Sequence, residues 1–207
     1  FGAYTLLDLQ WLSAEDDHGR LGDGSVNRIA RLPDALTPQL WRLLAARYRE
    51  EPAVLFDLYN EPHDVSADVW RMLAGSLLGV IREQNPAAVI FVSGVDWGYD
   101  LRDVTLHETG VVYSTHVYPW KSLKWRKAFG WLADDRPVFA GEWGGKDEHL
   151  VWGGELCEYL RELGMGWTAW SWSDYPRLVL RNEPDNWTAT EFGNLVRRQL
   201  RIPMVLP

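Results

Sequence analysis

Residues 55–63 read LFDLYNEPH. An apolar run gives way to Asn60, Glu61 and Pro62, so an acid stands where a buried strand ends. A strand end that only stops a sheet needs no acid there, and Pro62, which cannot donate a ladder hydrogen bond, helps to end the strand. A second acid is placed in the same way. The run VFAGEWGG (138–145) carries Glu142, and VYSTHVYPW (112–120), between the two, supplies His116 and Tyr118. Two carboxylates brought to one aromatic cleft suit the cleavage of an acetal. One must be protonated to give a proton to the leaving oxygen, and the other must be ionised to attack or stabilise the cationic sugar carbon. The charge of one disfavours ionisation of the other, which keeps the acid protonated. Asn60 could bond a sugar hydroxyl, and His116 and Tyr118 could orient a carboxylate. Each piece alone has a plainer reading, as a rim residue, a polar pair or a turn. Their joint order along the chain is what is specific.

Such groups need elements to carry them. Apolar runs at 3–9, 53–59, 88–94, 110–116, 137–142 and 166–172 are predicted strands. Helical spacing is predicted at 37–51, 66–85 (Ser66 as N-cap, Pro86 beyond the end), 123–134, 150–164 and 188–201, the last with a capping box of Thr188 and Glu191. No helix is predicted between 94 and 110. Continuous apolar strands with helical crossovers point to a parallel sheet covered on both faces. An open doubly wound sheet should carry a Gly-rich loop after its first strand, and QWLSAEDDHGRLGDG (10–24) has no such pattern. A (β/α)8 barrel instead brings functional groups to the carboxyl ends of several strands. The strand ends here supply Asp8 and Gln10; Asn60 and Glu61; Ser93, Asp96 and Trp97; His116 and Tyr118; Glu142 and Trp143; and Trp170, Ser171 and Trp172. The expected fold class is therefore α/β of the (β/α)8 TIM-barrel type. It is incomplete, because a full barrel has eight strands in about 250 residues and this chain offers six in 207.

The bulk numbers agree. A length of 207 residues suits a single domain over 1–207. A net charge of −8 argues against a nucleic-acid partner, and no apolar segment approaches the roughly 20 residues of a membrane span. The 13 tryptophans exceed what a core asks for, and flat indoles stack on the C–H faces of sugar rings. Other chemistries fit less well. The five histidines are scattered without H-E-x-x-H, and Glu61 and His63 lack a third metal ligand nearby. No G-x-S-x-G elbow occurs. Cys157, the one cysteine, lies in a predicted helix with no partner histidine.

FDLYNEPH, VYSTHVYPW, VFAGEWGG and WTAWSWSD (167–174), in this order, resemble glycoside hydrolase family 5, the cellulase family of the Glu/Glu barrel clan. The resemblance implies a (β/α)8 barrel that cleaves β-linked polysaccharides with retention, for which the two carboxyls should stand about 5–5.5 Å apart. Carried over by motif, it makes Glu61 the acid/base and Glu142 the nucleophile. Asn60 would bond the sugar 2-hydroxyl, and His116 and Tyr118 would line that subsite, with Tyr118 close to the nucleophile. Trp170 would be the sugar platform, a choice over Trp172 that the residues alone leave open. Trp97, Trp120 and Trp143 are further cleft candidates. No cofactor and no metal are implied.

Two departures are visible. The family's third strand ends in Asp-x-His where this chain has DLQW (8–11); Gln10 can bond a sugar hydroxyl but carries no charge. The family's first two strands, and an Arg that contacts the nucleophile, have no counterpart, so the chain is expected to be N-terminally truncated. The expectation is thus a retaining endo-β-glycanase, with β-1,4-glucan as the first substrate. A β-mannanase, another β-glucanase and a non-catalytic carbohydrate-binding barrel are the alternatives. The expected partner is a β-linked polysaccharide or oligosaccharide, with no nucleic acid, no membrane and a monomeric state. An extracellular location is implied by the resemblance only.

Overall fold

A computed structural model describes residues 2–14, 25–173, 178–183 and 186–203. The chain divides into two compact units, Phe1–Ser114 and Thr115–Pro207. The first is built from strands β1 (Thr5–Asp8), β2 (Val54–Asp57), β3 (Ile90–Ser93) and the start of β4 (Val111–Val117), with helices α1 (Thr37–Arg47) and α2 (Ala67–Gln84). These strands pair in parallel and in chain order. Leu6 stands beside Leu55, Phe56 beside Ile90, and Val92 beside Tyr113.

Parallel neighbours need long crossovers, and α1 and α2 supply two of them. Side chains take up free amides at both starts. Asp34 accepts hydrogen bonds from the Leu36 and Thr37 amides at 3.0 and 2.9 Å, just ahead of α1. Ser66 accepts from the Val69 amide at 3.3 Å and Asp68 adds a negative charge to the first turn of α2. The sequence predicts α1 out to residue 51, but it stops at Arg47. Pro52 disfavours helical backbone at Glu51, and Tyr48 already leaves the helix at φ −108°.

The core of this unit is Trp41, Phe56, Leu58, Trp70, Leu77, Ile81, Ile90 and Val92. Its two tryptophans also act as pins. The Trp41 indole N–H donates to the Leu58 carbonyl at 3.1 Å, and that of Trp70 to the Ser93 carbonyl at 2.7 Å. Each bond ties a helix to the carboxyl end of a strand, where the candidate residues begin. The segment after β3 has no helix, as the sequence predicts. It folds back through bridges of Gly94 with Gly98 and Val95 with Asp100.

The second unit holds the end of β4, β5 (Val138–Trp143), α3 (Leu150–Glu162), β6 (Gly166–Ala169), β7 (Val179–Glu183), β8 (Asn186–Ala189) and α4 (Glu191–Gln199). β5 and β6 are parallel, with a bulge between Ala140 and Trp143. Trp143, Phe129, Leu156, Leu160, Phe192 and Val196 form the core.

Three local expectations change here. The helix predicted at 123–134 is instead a π-helical turn, Arg126–Gly130, followed by a 3-10 turn, Leu132–Asp134. The Trp131 amide bonds the Arg126 carbonyl five residues back, at 3.0 Å. Gly130 sits against the Tyr159 hydroxyl, where a Cβ would collide. The last helix starts later than the capping box of Thr188 and Glu191 implies. Thr190 is its cap and accepts from the Gly193 amide at 2.9 Å, while Thr188 lies in β8, which pairs antiparallel with β7 instead of starting the predicted helix. The strand predicted at 166–172 ends at Ala169, so Trp170, Ser171 and Trp172 follow it.

Candidate active site

Glu61 lies four residues past the end of β2 in the first unit. Leu58 is still in ladder position, its amide donating to the Phe91 carbonyl at 3.2 Å, and the Asn60 amide donates to Leu9 at 2.9 Å. Then the chain turns sharply. Glu61 has φ +57°, a left-handed conformation uncommon for a side chain of its size, which costs about 1–3 kcal/mol. The structure holds it there from two sides. His63 Nδ1 donates to the Glu61 carbonyl at 2.9 Å. The Trp97 amide donates to the Pro62 carbonyl at 3.1 Å. The rings of His63 and Trp97 stack at 3.6 Å with 9° between planes. Asn60 and Glu61 are both buried, Glu61 to 8% exposure. Trp97 therefore spends one ring face on His63. Gln10 lies past the end of β1, on a groove of about 430 Å³ shared with Asp8, Leu40 and Trp41.

His63 is fully buried. Burial pulls its pKa below the ordinary value, against the Glu61 carbonyl and the charges of Asp64 and Glu61, which raise it; Arg31 lowers it further. The imidazole is thus neutral with its proton on Nδ1. Nothing in the sequence reading singled out this residue beyond a failed metal pairing. The available signal was its spacing: two residues past the acid, across a proline, its ring can turn back on the acid's own carbonyl.

Glu142 belongs to the second unit and sits inside β5, whose side chains alternate between faces. The bulge interrupts that alternation at Glu142 and Trp143, and the two side chains have different neighbours. Trp143 is 0% exposed and packs edge-on to Trp167 at 5.3 Å and against Phe192 at 5.6 Å. The expectation that Trp143 lines a cleft is therefore corrected: the strand turns it into the core. Glu142 is 8% exposed, and its carboxylate accepts a 2.6 Å hydrogen bond from the Tyr118 hydroxyl. His116 Nδ1 stands 3.6 Å from the same oxygen, close enough for charge attraction when protonated. A donor at 2.6 Å is in the range of charge-assisted O–H···O⁻ bonds. It favours the ionised carboxylate and fixes its rotamer.

Tyr118 is in turn backed by Trp120, with ring centroids 4.7 Å apart and 11° between planes. Trp120 is 66% exposed, so its other face is open to solvent. Trp170 is half-buried, and its amide donates to the Trp143 carbonyl at 2.8 Å. The Trp170 carbonyl passes so close to Gly144 that a Cβ there would collide, which explains the glycine after Glu142-Trp143. Trp172 is exposed and lies 6.2 Å from Trp187 of the hairpin. The two tryptophans that the sequence could not tell apart are thus distinct in packing. Cys157 is buried and its thiol is pushed up to about 12 by desolvation, so it offers no thiolate.

The family model described as Cellulase (glycosyl hydrolase family 5) matches residues 7–176. An endoglucanase of Paenibacillus polymyxa is 28% identical over 207 aligned residues, covering 75% of this chain and 52% of that enzyme. The chain spans about half or less of the length of the first curated relatives it matches. Among solved structures, the native form of a β-glucanase from Saccharophagus degradans superposes with a TM-score of 0.79 at 23% identity, covering 96% of this chain and 68% of that one. The same β-glucanase in complex with cellotetraose superposes with a TM-score of 0.78 at 24% identity, over the same shares. At these identities the likeness shows the fold. It is the α/β class of (β/α)8 type, with six of the eight strand-led segments among the described residues.

Proposed function

The chain belongs to glycosyl hydrolase family 5, the cellulase family, and from that premise we propose that it carries the catalytic residues of a retaining endo-β-1,4-glucanase. The observation that carries the proposal is the buried Glu142 carboxylate held by the Tyr118 hydroxyl at 2.6 Å. A nucleophile must be ionised and must aim one oxygen at the sugar carbon, and a short donor on that carboxylate serves both needs.

In the first step the Glu142 oxygen forms a bond to the anomeric carbon while the glycosidic bond breaks. Glu61 gives its proton to the departing oxygen. In the second step Glu61 takes a proton from water, the water oxygen bonds the same carbon, and the glycosyl–Glu142 bond breaks. Asn60 bonds the 2-hydroxyl, His116 lines the same subsite, and Trp170 is the platform under the ring. Gln10 and Trp97 are further substrate contacts. The crystallised relative with cellotetraose and relatives named as endoglucanases support a β-1,4-glucan substrate. A polymer of that size acts as substrate outside the cell, and no helix among the described residues is long and apolar enough to cross a membrane.

The test is hydrolysis of soluble cellulose and mannan derivatives by the chain and by Glu142→Gln, with proton NMR of the first-formed anomer. The proposal expects cellulose cleavage with a β-anomer product that the variant abolishes. Equal rates for the two proteins overturn the nucleophile. An α-anomer first overturns retention, and a faster rate on mannan moves the substrate to β-mannan.

A further inference from the structure

Left-handed backbone recurs around Glu61. Glu61 and Asp64 have φ +57° and +51°, and Asp96, Trp97 and Gly98 have +56°, +57° and +73°. Two loops, one after β2 and one after β3, thus depart together from ordinary backbone, and they do so where they touch. The Trp97 amide holds the Pro62 carbonyl, and the Trp97 ring lies flat on His63. The His63 ring closes the arrangement by bonding the carbonyl of Glu61 itself.

We infer that His63 is a positioning residue for the acid: its imidazole, wedged between the Glu61 carbonyl and the face of Trp97, locks the acid's main chain and so aims its carboxyl. This rests on the reading of Glu61 as acid/base. A carbonyl accepts, so Nδ1 must carry the proton. Nε2 is then a bare lone pair, and it is buried with no hydrogen-bond partner among the described residues. A second proton there would bury an unpaired N–H and a charge. Asp64 and Glu61 favour that charge, Arg31 opposes it, and burial outweighs them. The ring is therefore a neutral wedge with one donor. For the Glu61 main chain to shift, the Nδ1 bond must break or the His63 ring must leave its stack on Trp97. Trp97 acts here as backing.

Two measurements test this. Nitrogen-15 NMR of the imidazoles is expected to show His63 as the Nδ1–H tautomer, neutral below its ordinary titration range. An Nε2–H tautomer, or titration near pH 6.5 like a free histidine, overturns the bond. The second is kcat/KM on two aryl β-cellobiosides, one with a dinitrophenolate leaving group that needs no proton and one with a phenolate that does. His63→Ala is expected to lower the phenyl substrate's value by about 10–100-fold, as misplacement of a reacting group does, and the dinitrophenyl value far less. His63→Asn, whose side-chain amide can donate to the Glu61 carbonyl, is expected to restore most of the loss.

Glu61→Gln is the reference. If it shows no dependence on leaving group, the acid/base reading itself fails. If it does, and His63→Ala slows both substrates equally, His63 is merely structural and the inference is overturned alone.

Discussion

Glu61 and Glu142 are equally buried, at 8% exposure each, yet they are fastened in different ways. Around Glu61 the bonds described grip the main chain: His63 on its carbonyl, Trp97 on the Pro62 carbonyl, Leu9 on the Asn60 amide. Its backbone is bent into a left-handed turn past the end of β2. Glu142 stands inside β5, within its bulge, and the grip is on its carboxylate, through Tyr118 and His116. On the proposed roles the difference has a physical reason. A nucleophile must be ionised when it attacks and again when it departs, and donors on its oxygens favour that state. A general acid must release and regain a proton in each turnover, and a grip on its main chain fixes the backbone that carries it without bearing on that proton.

The contrast can be broken most directly at the two carboxylates. Glu142→Gln is expected to lower kcat on the order of 10⁶-fold, as loss of a nucleophile does, for every leaving group alike. Rates on a series of aryl cellobiosides check this, and a loss confined to poor leaving groups would exchange the two roles. Tyr118→Phe should act next. It removes a bond to a charged group of about 1.5–3 kcal/mol, which is about 10–150-fold in rate. The expected loss is in kcat, and an unchanged kcat would show that the 2.6 Å bond does not serve the chemistry.

Smaller effects sharpen the same comparison. At Glu61's side, His63 titrates lower in the folded chain than in the unfolded one. Between the two values the unfolded state binds more protons. Stability is therefore full above about pH 6.5 and falls as the pH drops below it. Urea melts at pH 7.5 and 5.5 are expected to show this decline in the parent and less of it in His63→Asn; equal declines would remove His63 as its source. At Glu142's side, Trp120→Ala strips the open aromatic face behind Tyr118. A loss of about 0.5–1.5 kcal/mol of stacking should raise KM for cellotetraose about two- to tenfold with kcat nearly unchanged. A fall in kcat alone would assign Trp120 to holding Tyr118 instead of holding sugar.

Much of the fold is legible because its signals are local. The six apolar runs are strands, Ser66 caps α2, and no helix forms between 94 and 110. The misreadings arise where a distant group intervenes. Helical spacing at 123–134 could not foresee Tyr159 pressing on Gly130 and the chain widening into a π-turn. The Trp after Glu142 reads as a cleft residue, but tertiary packing sets it among Trp167 and Phe192. His63 read as half a metal pair because its true partner, Trp97, lies 34 positions away (97 − 63).

The sequence by itself determined the chemical inventory of this protein. Two glutamates stand at strand ends, one between Asn60 and Pro62 and one between Gly141 and Trp143, with His116 and Tyr118 between them in order. Residue types and their periodicity are local properties, so they can be read along a line. Only the tertiary structure decided how each acid is held: one by its main chain through a stacked His63 and Trp97, the other by its carboxylate through a phenol at 2.6 Å. Hydrogen bonds and ring stacks act over a few ångströms between residues that the chain separates by tens of positions, and folding alone brings those within reach.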